Sequence, residues 1–158
     1  MTELQPESVW DYPRPPVVEP CVLRVRVEFA GIVIADSMNA LRLLETSHPP
    51  TYYIPPADVK AEFLHSNPDW TLCEYKGSAT YWNLEVGKRF SESAAWSYAA
   101  PTGAYQVLRD YFAFYPERVD GCYLGEERVK PQEGGFYGGW ITSNLRGPFK
   151  GVPGSRGW

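Results

Sequence analysis

The chain has 158 residues, of which 44% are hydrophobic and 22% are charged, and its formal net charge is −4. This length fits a single domain, residues 1–158, which can bury a core without disulfides or metal. The acidic balance argues against a nucleic-acid partner, which requires a basic surface. No run of about 18 apolar residues is present, which argues against a membrane partner.

The cysteines and the N-terminus indicate a reducing compartment. Cys21, Cys73 and Cys122 are widely spaced and form no CxxC pair, a pattern typical of free thiols. Glu3 and Glu7 occur near the N-terminus, which has no apolar stretch and so does not resemble a signal peptide. We therefore expect a cytoplasmic protein.

The first part of the chain is a proline-rich arm. Five prolines within residues 1–20 fix φ and disfavour a helix, so an extended arm is predicted there. Trp10 and Tyr12 lie in this arm, and their large apolar surfaces favour docking onto the body of the protein. The body itself is predicted to be residues 21–133.

Alternation of residue types then predicts the first strands. In Leu23–Phe29 apolar and charged residues alternate, which indicates a half-exposed strand, with Ile32–Ala35 as its hairpin partner. Asp36 and Ser37 are placed to cap a short helix from Met38 to about Glu45.

The rest of the chain is predicted to be a β-meander followed by a loop-rich tail. The predicted elements are a short helix from Asp58 to Leu64, three strands at Thr71–Tyr75, Ser78–Val86 and Arg89–Ser97, one or two helical turns in 103–109, and strands at Tyr111–Tyr115 and Val119–Leu124. Residues 134–158 mix glycines with aromatic side chains, which favours an extension that packs back on the body. The chain is thus predicted to be mostly β, with two or three short helices.

Aromatic residues are frequent along the meander. The chain contains 6 Trp, 11 Tyr and 7 Phe, enough to fill its core, so two interpretations of them stay open. Alternation places Tyr81 and Trp82 on opposite faces and Trp96 and Tyr98 on a shared face. Trp82 and Trp96 are either plain core residues or two walls of a cage for a flat or cationic ligand.

A polar segment precedes the meander. Residues 44–53 combine a carboxylate, the adjacent hydroxyls of Thr46 and Ser47, an imidazole and two phenols with a pair of stiffening prolines. Rigid polar loops commonly carry binding or catalytic sites, so Glu45 and His48 are candidate acid–base groups at the lip of a pocket. The alternative is that both side chains only satisfy backbone groups at a helix end.

Lys76 and Cys73 are further candidates. Lys76 stands at a predicted turn, where it is either solvated or binds an anionic group as a point charge. Cys73 is either a nucleophile activated by His48 or a small buried strand residue. The two histidines and the unpaired cysteines give no zinc ligand set, so neither a metal nor a cofactor is predicted.

Several segments resemble a known family. The resemblance is carried by VWDYPRPP (9–16), ADS..ALR.LETSHPPTYYIPPADV (35–59), CEYKGSATYW (73–82), AAWSY..P (94–101) and GGFYGGWITSNLRGPFKGVPGSRGW (134–158). Together these segments look like the domain-of-unknown-function 427 family. The likeness covers nearly the whole chain, and the proline-rich arm and glycine-rich tail resemble a longer branch of that family.

The resemblance implies a fold more than a function. It implies a β-tent-like architecture, in which two antiparallel sheets lean together with a groove between them. Some β-tent relatives bind zinc, but this chain lacks their paired cysteines, and others hold a ligand in a cage of tryptophans. The family has also carried a nucleotidyltransferase-like label, for which Glu45, Asp58 and Glu85 provide no paired-carboxylate metal motif.

Three hypotheses about function follow. The first is a small-molecule-binding domain, with Glu45, His48 and Lys76 as polar contacts in a groove lined by Tyr53, Tyr75, Tyr81, Trp82, Trp96 and Tyr98. The second is an enzyme in the same groove, with Glu45 or His48 as acid–base and Lys76 stabilising negative charge. The third is a structural or interaction module whose exposed aromatic residues cover a partner or a second copy of the chain, giving a homodimer.

Overall fold

The computed structural model describes residues 4–73 and 75–158. Residues 1–3 of the predicted arm, and Glu74 of the first predicted meander strand, lie outside the described residues. Strands make up 47% of the structure and helical turns 12%, so the prediction of a mostly β fold built from antiparallel sheets is confirmed.

Fifteen strands are found in the described part of the chain. They are β1 (Glu7–Ser8), β2 (Val17–Pro20), β3 (Val25–Phe29), β4 (Ile32–Ser37), β5 (Leu41–Leu44), β6 (Thr51–Tyr53), β7 (Leu64–Cys73), β8 (Gly77–Val86), β9 (Arg89–Tyr98), β10 (Ala113–Phe114), β11 (Gly121–Leu124), β12 (Glu127–Arg128), β13 (Lys130–Pro131), β14 (Trp140–Ile141) and β15 (Leu145–Arg146). The helical turns are of the 3-10 type and span Val9–Asp11, Pro56–Asp58, Ala61–Phe63, Gly103–Leu108 and Pro116–Arg118.

Three sheets build the body of the molecule. Two are four-stranded, with orders β10-β9-β8-β7 and β12-β11-β3-β4, and the third has the order β2-β5-β6. Neighbouring strands in all three are antiparallel. Two further pairs, β1 with β15 and β13 with β14, attach the arm and the tail.

The sheet formed by β7 to β10 is covered on both faces. On one face it packs against β3 and β4, where Val25, Val27 and Leu84 are fully buried in one core cluster. On the other face it packs against β5 and β6, where Leu43 and Tyr53 belong to a second cluster. This second face carries the candidate site.

The strand predictions for the first hairpin and the meander are confirmed. The hairpin of β3 and β4 and the meander of β7, β8 and β9 occur where residue alternation predicts them. Strand β7 begins at Leu64, earlier than predicted, and its register with β8 shifts between Ser66 and Trp70. Pro68 lies in this irregular part, and it is tolerated because β7 is the edge strand of its sheet.

The predicted helix from Met38 to Glu45 is wrong. Leu41–Leu44 forms β5, the central strand of the three-stranded sheet, and Met38 is exposed. A short apolar run fits either structure locally. Pairing with β2 on one side and β6 on the other satisfies the hydrogen-bonding groups of its backbone, and this favours the strand over the helix.

The predicted helix from Asp58 to Leu64 is also wrong. Two separate 3-10 turns, Pro56–Asp58 and Ala61–Phe63, occupy this stretch, and Leu64 already belongs to β7. Asp58 does not cap a helix, because its carboxylate accepts a hydrogen bond of 2.6 Å from the Ser37 hydroxyl. The strands predicted at Tyr111–Tyr115 and Val119–Leu124 are shorter in the structure, where they form β10 and β11.

The arm and the tail both pack against the body. The arm is extended except for the 3-10 turn Val9–Asp11, and Val9 and Tyr12 are buried beside Leu44. The indole nitrogen of Trp10 donates a hydrogen bond of 2.8 Å to the carbonyl of Pro148. Within the described part of the chain, no helix is both long enough and apolar enough to span a membrane.

Candidate functional site

A cavity of about 430 Å³ opens on the face of β7, β8 and β9 that packs against β5 and β6. Residues from the arm, the segment after β5 and the tail complete its wall. The lining residues are Arg14, Leu43, Glu45, His48, Pro49, Thr51, Tyr53, Thr71, Leu72, Cys73, Tyr75, Lys76, Tyr81, Trp96, Tyr98, Tyr115, Gln132, Phe136, Tyr137, Gly138, Lys150 and Trp158. The structure thus brings together nine of the ten candidate site residues named from the sequence, with Trp82 as the exception.

Trp82 does not line this cavity. Tyr81 pairs with Trp96 across β8 and β9, and side chains of paired residues point to the same face, so these two rings face the cavity. Trp82 points to the opposite face, where its ring meets Phe112 in the core at 5.4 Å. The predicted cage walls of Trp82 and Trp96 therefore lie on opposite sides of the sheet, as alternation along β8 requires.

Tyr53, Trp96 and Tyr98 form the aromatic floor of the cavity. The ring of Tyr53 lies 6.3 Å from that of Trp96, nearly perpendicular to it, and 6.4 Å from that of Tyr98. Burial raises the pKa of the Tyr53 and Tyr98 phenols, so both are uncharged at neutral pH. The floor therefore consists of ring surfaces and uncharged hydroxyl groups.

The polar lip, residues 45–50, is fixed by backbone hydrogen bonds. The amide of Ser47 donates to the Val9 carbonyl at 3.0 Å, and the amide of Lys150 donates to the Ser47 carbonyl at 2.8 Å. The amide of His48 closes a turn on the carbonyl of Glu45, and Ser47 takes a φ of 72° within this turn. The arm and the tail therefore hold the lip from both sides.

His48 is neutral and has a defined tautomer. Gln132 accepts from the Gly139 amide through Oε1 and donates from Nε2 to the Lys150 carbonyl, which fixes its amide orientation. Its Nε2 lies 3.2 Å from His48 Nδ1, so Nδ1 is the acceptor and the proton resides on Nε2. Burial, with help from nearby cations including Arg14, lowers the pKa of His48 to about 4.

Glu45 is held between a cation and this imidazole. Its Oε2 lies 3.6 Å from the guanidinium of Arg14 and 3.8 Å from Nε2 of His48. Arg14 also donates to the Thr46 carbonyl at 3.0 Å. Glu45 and Arg14 thus neutralise each other at the rim, and the protonated Nε2 of His48 faces the carboxylate.

Lys76 is the unusual cation of the site. Its side chain is buried, with 7% of the residue exposed, and Nζ donates to Cys73 Sγ at 3.1 Å. Among the described residues no carboxylate lies within 4.0 Å of Nζ and no oxygen accepts from it; the ring of Tyr98 lies 5.7 Å away. Burial lowers the pKa of Lys76, but Tyr53 and Cys73 more than offset this, so the pKa stands above its ordinary value.

Cys73 faces Lys76 rather than His48, so the partner expected from the sequence is replaced by an ammonium group. Its side chain is partly exposed to the cavity, whereas Cys21 and Cys122 are buried. Burial raises the pKa of both buried thiols. Of the three thiols, Cys73 is the one that a small molecule in the cavity can reach.

Lys150 is a cation of the site that sequence reasoning missed. Its Nζ donates to three backbone oxygens of the tail, those of Ser155, Arg156 and Trp158, at 2.8, 2.8 and 3.4 Å. These bonds satisfy the ammonium, so Lys150 fixes the tail. Gln132 was missed as well, and no local pattern marks it, because its partners lie in other segments of the chain.

The tail forms one wall of the cavity. Gly138 lies directly on the Trp96 ring, where a methyl group would overlap the ring atoms. The ring of Tyr137 lies 5.0 Å from that of His48 in an edge-on arrangement. The hydroxyl of Tyr115 donates to the Phe136 carbonyl at 3.0 Å and anchors this wall to the sheet.

The donor set of the cavity suits an organic anion better than a metal ion. Among the residues that the structure describes, no group of three or more His, Cys, Asp or Glu side chains is placed to hold a metal. The cavity offers several neutral phenols, flat ring surfaces and one ammonium, that of Lys76, whose hydrogen-bond partner among the described residues is a sulfur atom. Such a combination can orient a ligand that has an anionic group and an apolar body.

Comparison with known protein families shows which family the central part of the chain resembles. A family model described as a domain of unknown function, DUF427, matches residues 17–125, which is more than half of the chain. No curated protein matches the chain. The matched segment includes the aromatic floor, the lip and Lys76, whereas the tail wall lies beyond it.

Proposed function

The chain belongs to the domain-of-unknown-function 427 family, and we propose that this member is a small-molecule-binding domain whose cavity takes a ligand with a flat apolar body and an anionic group. One observation carries the proposal. The ammonium of Lys76 is buried at the cavity and has a sulfur atom as its hydrogen-bond partner among the described residues.

A buried cation without an oxygen partner is costly. Removing a charged group from water costs several kcal/mol unless other groups compensate it. The other two cations of the cavity are compensated, because Arg14 lies beside Glu45 and Lys150 donates to three backbone oxygens. An anionic ligand group would give Lys76 the oxygen partner that it does not have among the described residues.

The aromatic floor supports the flat apolar body that we propose for the ligand. Tyr53 and Trp96 are buried and perpendicular to each other, so they give a rigid surface with little rotamer freedom to lose on binding. A flat ligand body packed on this surface would bury the ring area of Trp96 and Tyr98 that is still exposed to the cavity.

The test replaces Lys76 by methionine, which keeps the volume and removes the charge. In the wild type, benzoate or phenyl phosphate is expected to raise the melting temperature as its concentration increases. Lys76→Met should abolish this shift. The same substitution should change the melting temperature of the ligand-free protein by only a few degrees, since loss of the buried charge is accompanied by loss of its contact with Cys73 and about 1 kcal/mol corresponds to roughly 2–4 °C in a domain of this size.

The matched control is Lys88→Met, since Lys88 is exposed in the turn between β8 and β9. This variant should keep the ligand-induced shift and the wild-type melting temperature. The proposal is wrong if neither compound shifts the wild type, or if Lys76→Met keeps the shift. A large destabilisation by Lys76→Met without ligand would instead assign Lys76 a structural role and also contradict the proposal.

A further inference from the structure

Cys73 and Lys76 lie at the hairpin between β7 and β8, and both line the cavity. Cys73 pairs with Gly77 at the end of the ladder between these two strands. Thr102 braces the turn, because its amide donates to the Lys76 carbonyl at 3.3 Å and its hydroxyl donates to the Tyr75 carbonyl at 3.0 Å. The hairpin therefore fixes the backbone from which the thiol and the ammonium extend.

The side chains of this hairpin bring a sulfur atom into contact with a cation. Nζ of Lys76 donates to Sγ of Cys73 at 3.1 Å and to no oxygen among the described residues. Tyr53 and Cys73 keep the pKa of Lys76 above its ordinary value despite burial, so the amine is protonated at neutral pH. An ammonium has three N–H groups, so Nζ can donate to a ligand oxygen while it still contacts the sulfur.

Cys73 is the thiol that the cavity exposes. It is partly exposed and lines the cavity, whereas Cys21 and Cys122 are buried and do not line it. Reactive cysteines are partly exposed and lie beside cations. A molecule in the cavity thus meets one sulfur atom, and that sulfur has an ammonium beside it.

The other charged groups that line the cavity are already engaged. Glu45 lies 3.6 Å from the guanidinium of Arg14, and Lys150 donates to three backbone oxygens. His48 is uncharged, because burial lowers its pKa to about 4. Lys76 is therefore the cation of the cavity that an incoming anion meets without displacing an oxygen partner among the described residues.

The short distance between Nζ and Sγ determines which atom of a bound acid meets the thiol. An ammonium–carboxylate hydrogen bond is about 2.8 Å long, and a carbon reacts with a nucleophile from about 3–3.5 Å. Because Nζ of Lys76 and Sγ of Cys73 are 3.1 Å apart, a carboxylate on Nζ brings the carbon bonded to it within reach of Sγ. That carbon is the one presented to the sulfur.

We propose that Cys73 is a covalent attachment site for small carboxylic acids with an electrophilic carbon next to the carboxylate, in which Lys76 binds the carboxylate and the sulfur of Cys73 attacks that carbon. This inference rests on the proposed function and adds a ligand class to it. Lys76 acts by orienting the acid, and Cys73 is the residue that forms the bond.

The attachment requires no oxidant or cofactor. With a 2-halo acid, the sulfur supplies the electron pair of the new S–C bond, the halide leaves with the pair of the broken bond, and the thiol proton passes to solvent. With a 2-oxo acid, the sulfur adds to the carbonyl carbon and the thiol proton ends on the carbonyl oxygen, so nothing else is consumed or released.

The test measures how fast iodoacetate and iodoacetamide alkylate Cys73, with peptide mass spectrometry to locate the adduct. Both reagents carry the same reactive carbon, but iodoacetate alone has a carboxylate. The ratio of the two rates at one pH cancels the deprotonated fraction of the thiol and reports the effect of the carboxylate. This ratio should be about tenfold higher in the folded wild type than in the urea-unfolded wild type, because hydrogen bonds to charged groups commonly have an effect of at least this size.

Two lysine variants serve as the comparison. Lys76→Met should lower the ratio in the folded protein to the value of the unfolded chain, because it removes the ammonium beside Sγ. Lys88→Met, at an exposed position in the turn between β8 and β9, should keep the wild-type ratio. The comparison of folded and unfolded wild type requires no variant, so the test does not depend on the folding of Lys76→Met.

The outcomes separate the two proposals. If the carboxylate gives no advantage at folded Cys73 but benzoate or phenyl phosphate still raises the melting temperature through Lys76, the attachment site is wrong and the proposed function stands. The attachment site is equally wrong if folded Cys73 reacts with neither reagent, or if Lys76→Met keeps the high ratio. If the ratio is unchanged on folding and neither anion shifts the melting temperature, both proposals fail.

Discussion

At the scale of a single residue, the buried imidazole of His48 links the stability of the fold to pH. Burial lowers its pKa to about 4, below the ordinary value of 6.5, and Arg14, Lys76 and Lys150 add to this effect. Glu45, 3.8 Å away, is the carboxylate that faces it. The cavity therefore holds its imidazole in the neutral form across the physiological range.

The expected consequence is a loss of stability in mild acid. Below about pH 6.5 the unfolded chain takes up a proton on His48 that the folded chain refuses, so the stabilisation is complete above this pH and decreases as the pH falls toward 4. Between pH 7 and pH 5 the free energy of unfolding should fall by about 2 kcal/mol from this group. Urea unfolding at the two pH values measures the change.

His48→Asn provides the comparison for this prediction. The Asn side chain can still accept from Gln132 but does not titrate, so the variant should lose about 2 kcal/mol less than the wild type over the same pH interval. Equal losses in the two proteins would show that His48 does not contribute the pH dependence.

At the scale of elements, the tail packs against β9 through a glycine. Gly138 lies on the ring of Trp96, and Trp96 in turn belongs to the aromatic floor of the cavity. The wall formed by the tail can approach this closely only because residue 138 has no side chain. The position of the tail and the shape of the cavity are thus coupled.

Gly138→Ala should lower the free energy of unfolding by about 2 kcal/mol, because its methyl group overlaps the buried ring of Trp96 and forces the wall or the ring to move. Gly157→Ala is the control, since no atom lies within 4 Å of a methyl group placed there. Urea unfolding of both variants measures the difference. Equal stability of the two variants would contradict the close packing of tail and sheet.

At the scale of the whole molecule, the tail helps to hold the core together, although it lies beyond the segment matched by the family model. Trp140 is fully buried in the main core cluster, and its ring nitrogen donates to the Phe114 carbonyl at 3.1 Å. Its ring also lies 4.9 Å from that of Tyr52. Residues 134–158 are therefore part of the folded body.

Trp140→Ala should destabilise the protein by about 4 kcal/mol, because it leaves a large cavity and an unpaired carbonyl in the core. Trp70→Ala, the same substitution at an exposed position, should change stability by less than about 0.5 kcal/mol. Thermal or urea unfolding distinguishes the two. A small effect of Trp140→Ala would mean that the tail is dispensable for the fold.

The sequence by itself determined the mostly β fold, the meander of β7 to β9 and the sidedness of its aromatic residues. These follow from alternation, which is a local property of a strand. The same alternation places Tyr81 and Trp82 on opposite faces of the sheet. It therefore already indicates that the two side chains do not line the same cavity. The proline-stiffened lip with Glu45 and His48 was also visible locally.

Only the tertiary structure decided the features that depend on distant partners. Leu41–Leu44 is a strand because β2 and β6 lie on either side of it, and a helical pattern in so short a run carries too little free energy to compete. Lys76 faces Cys73 without an oxygen partner among the described residues, whereas Lys150 is satisfied by the tail. Both are lysines in the sequence, and burial and long-range contacts, which no local pattern encodes, give them different roles.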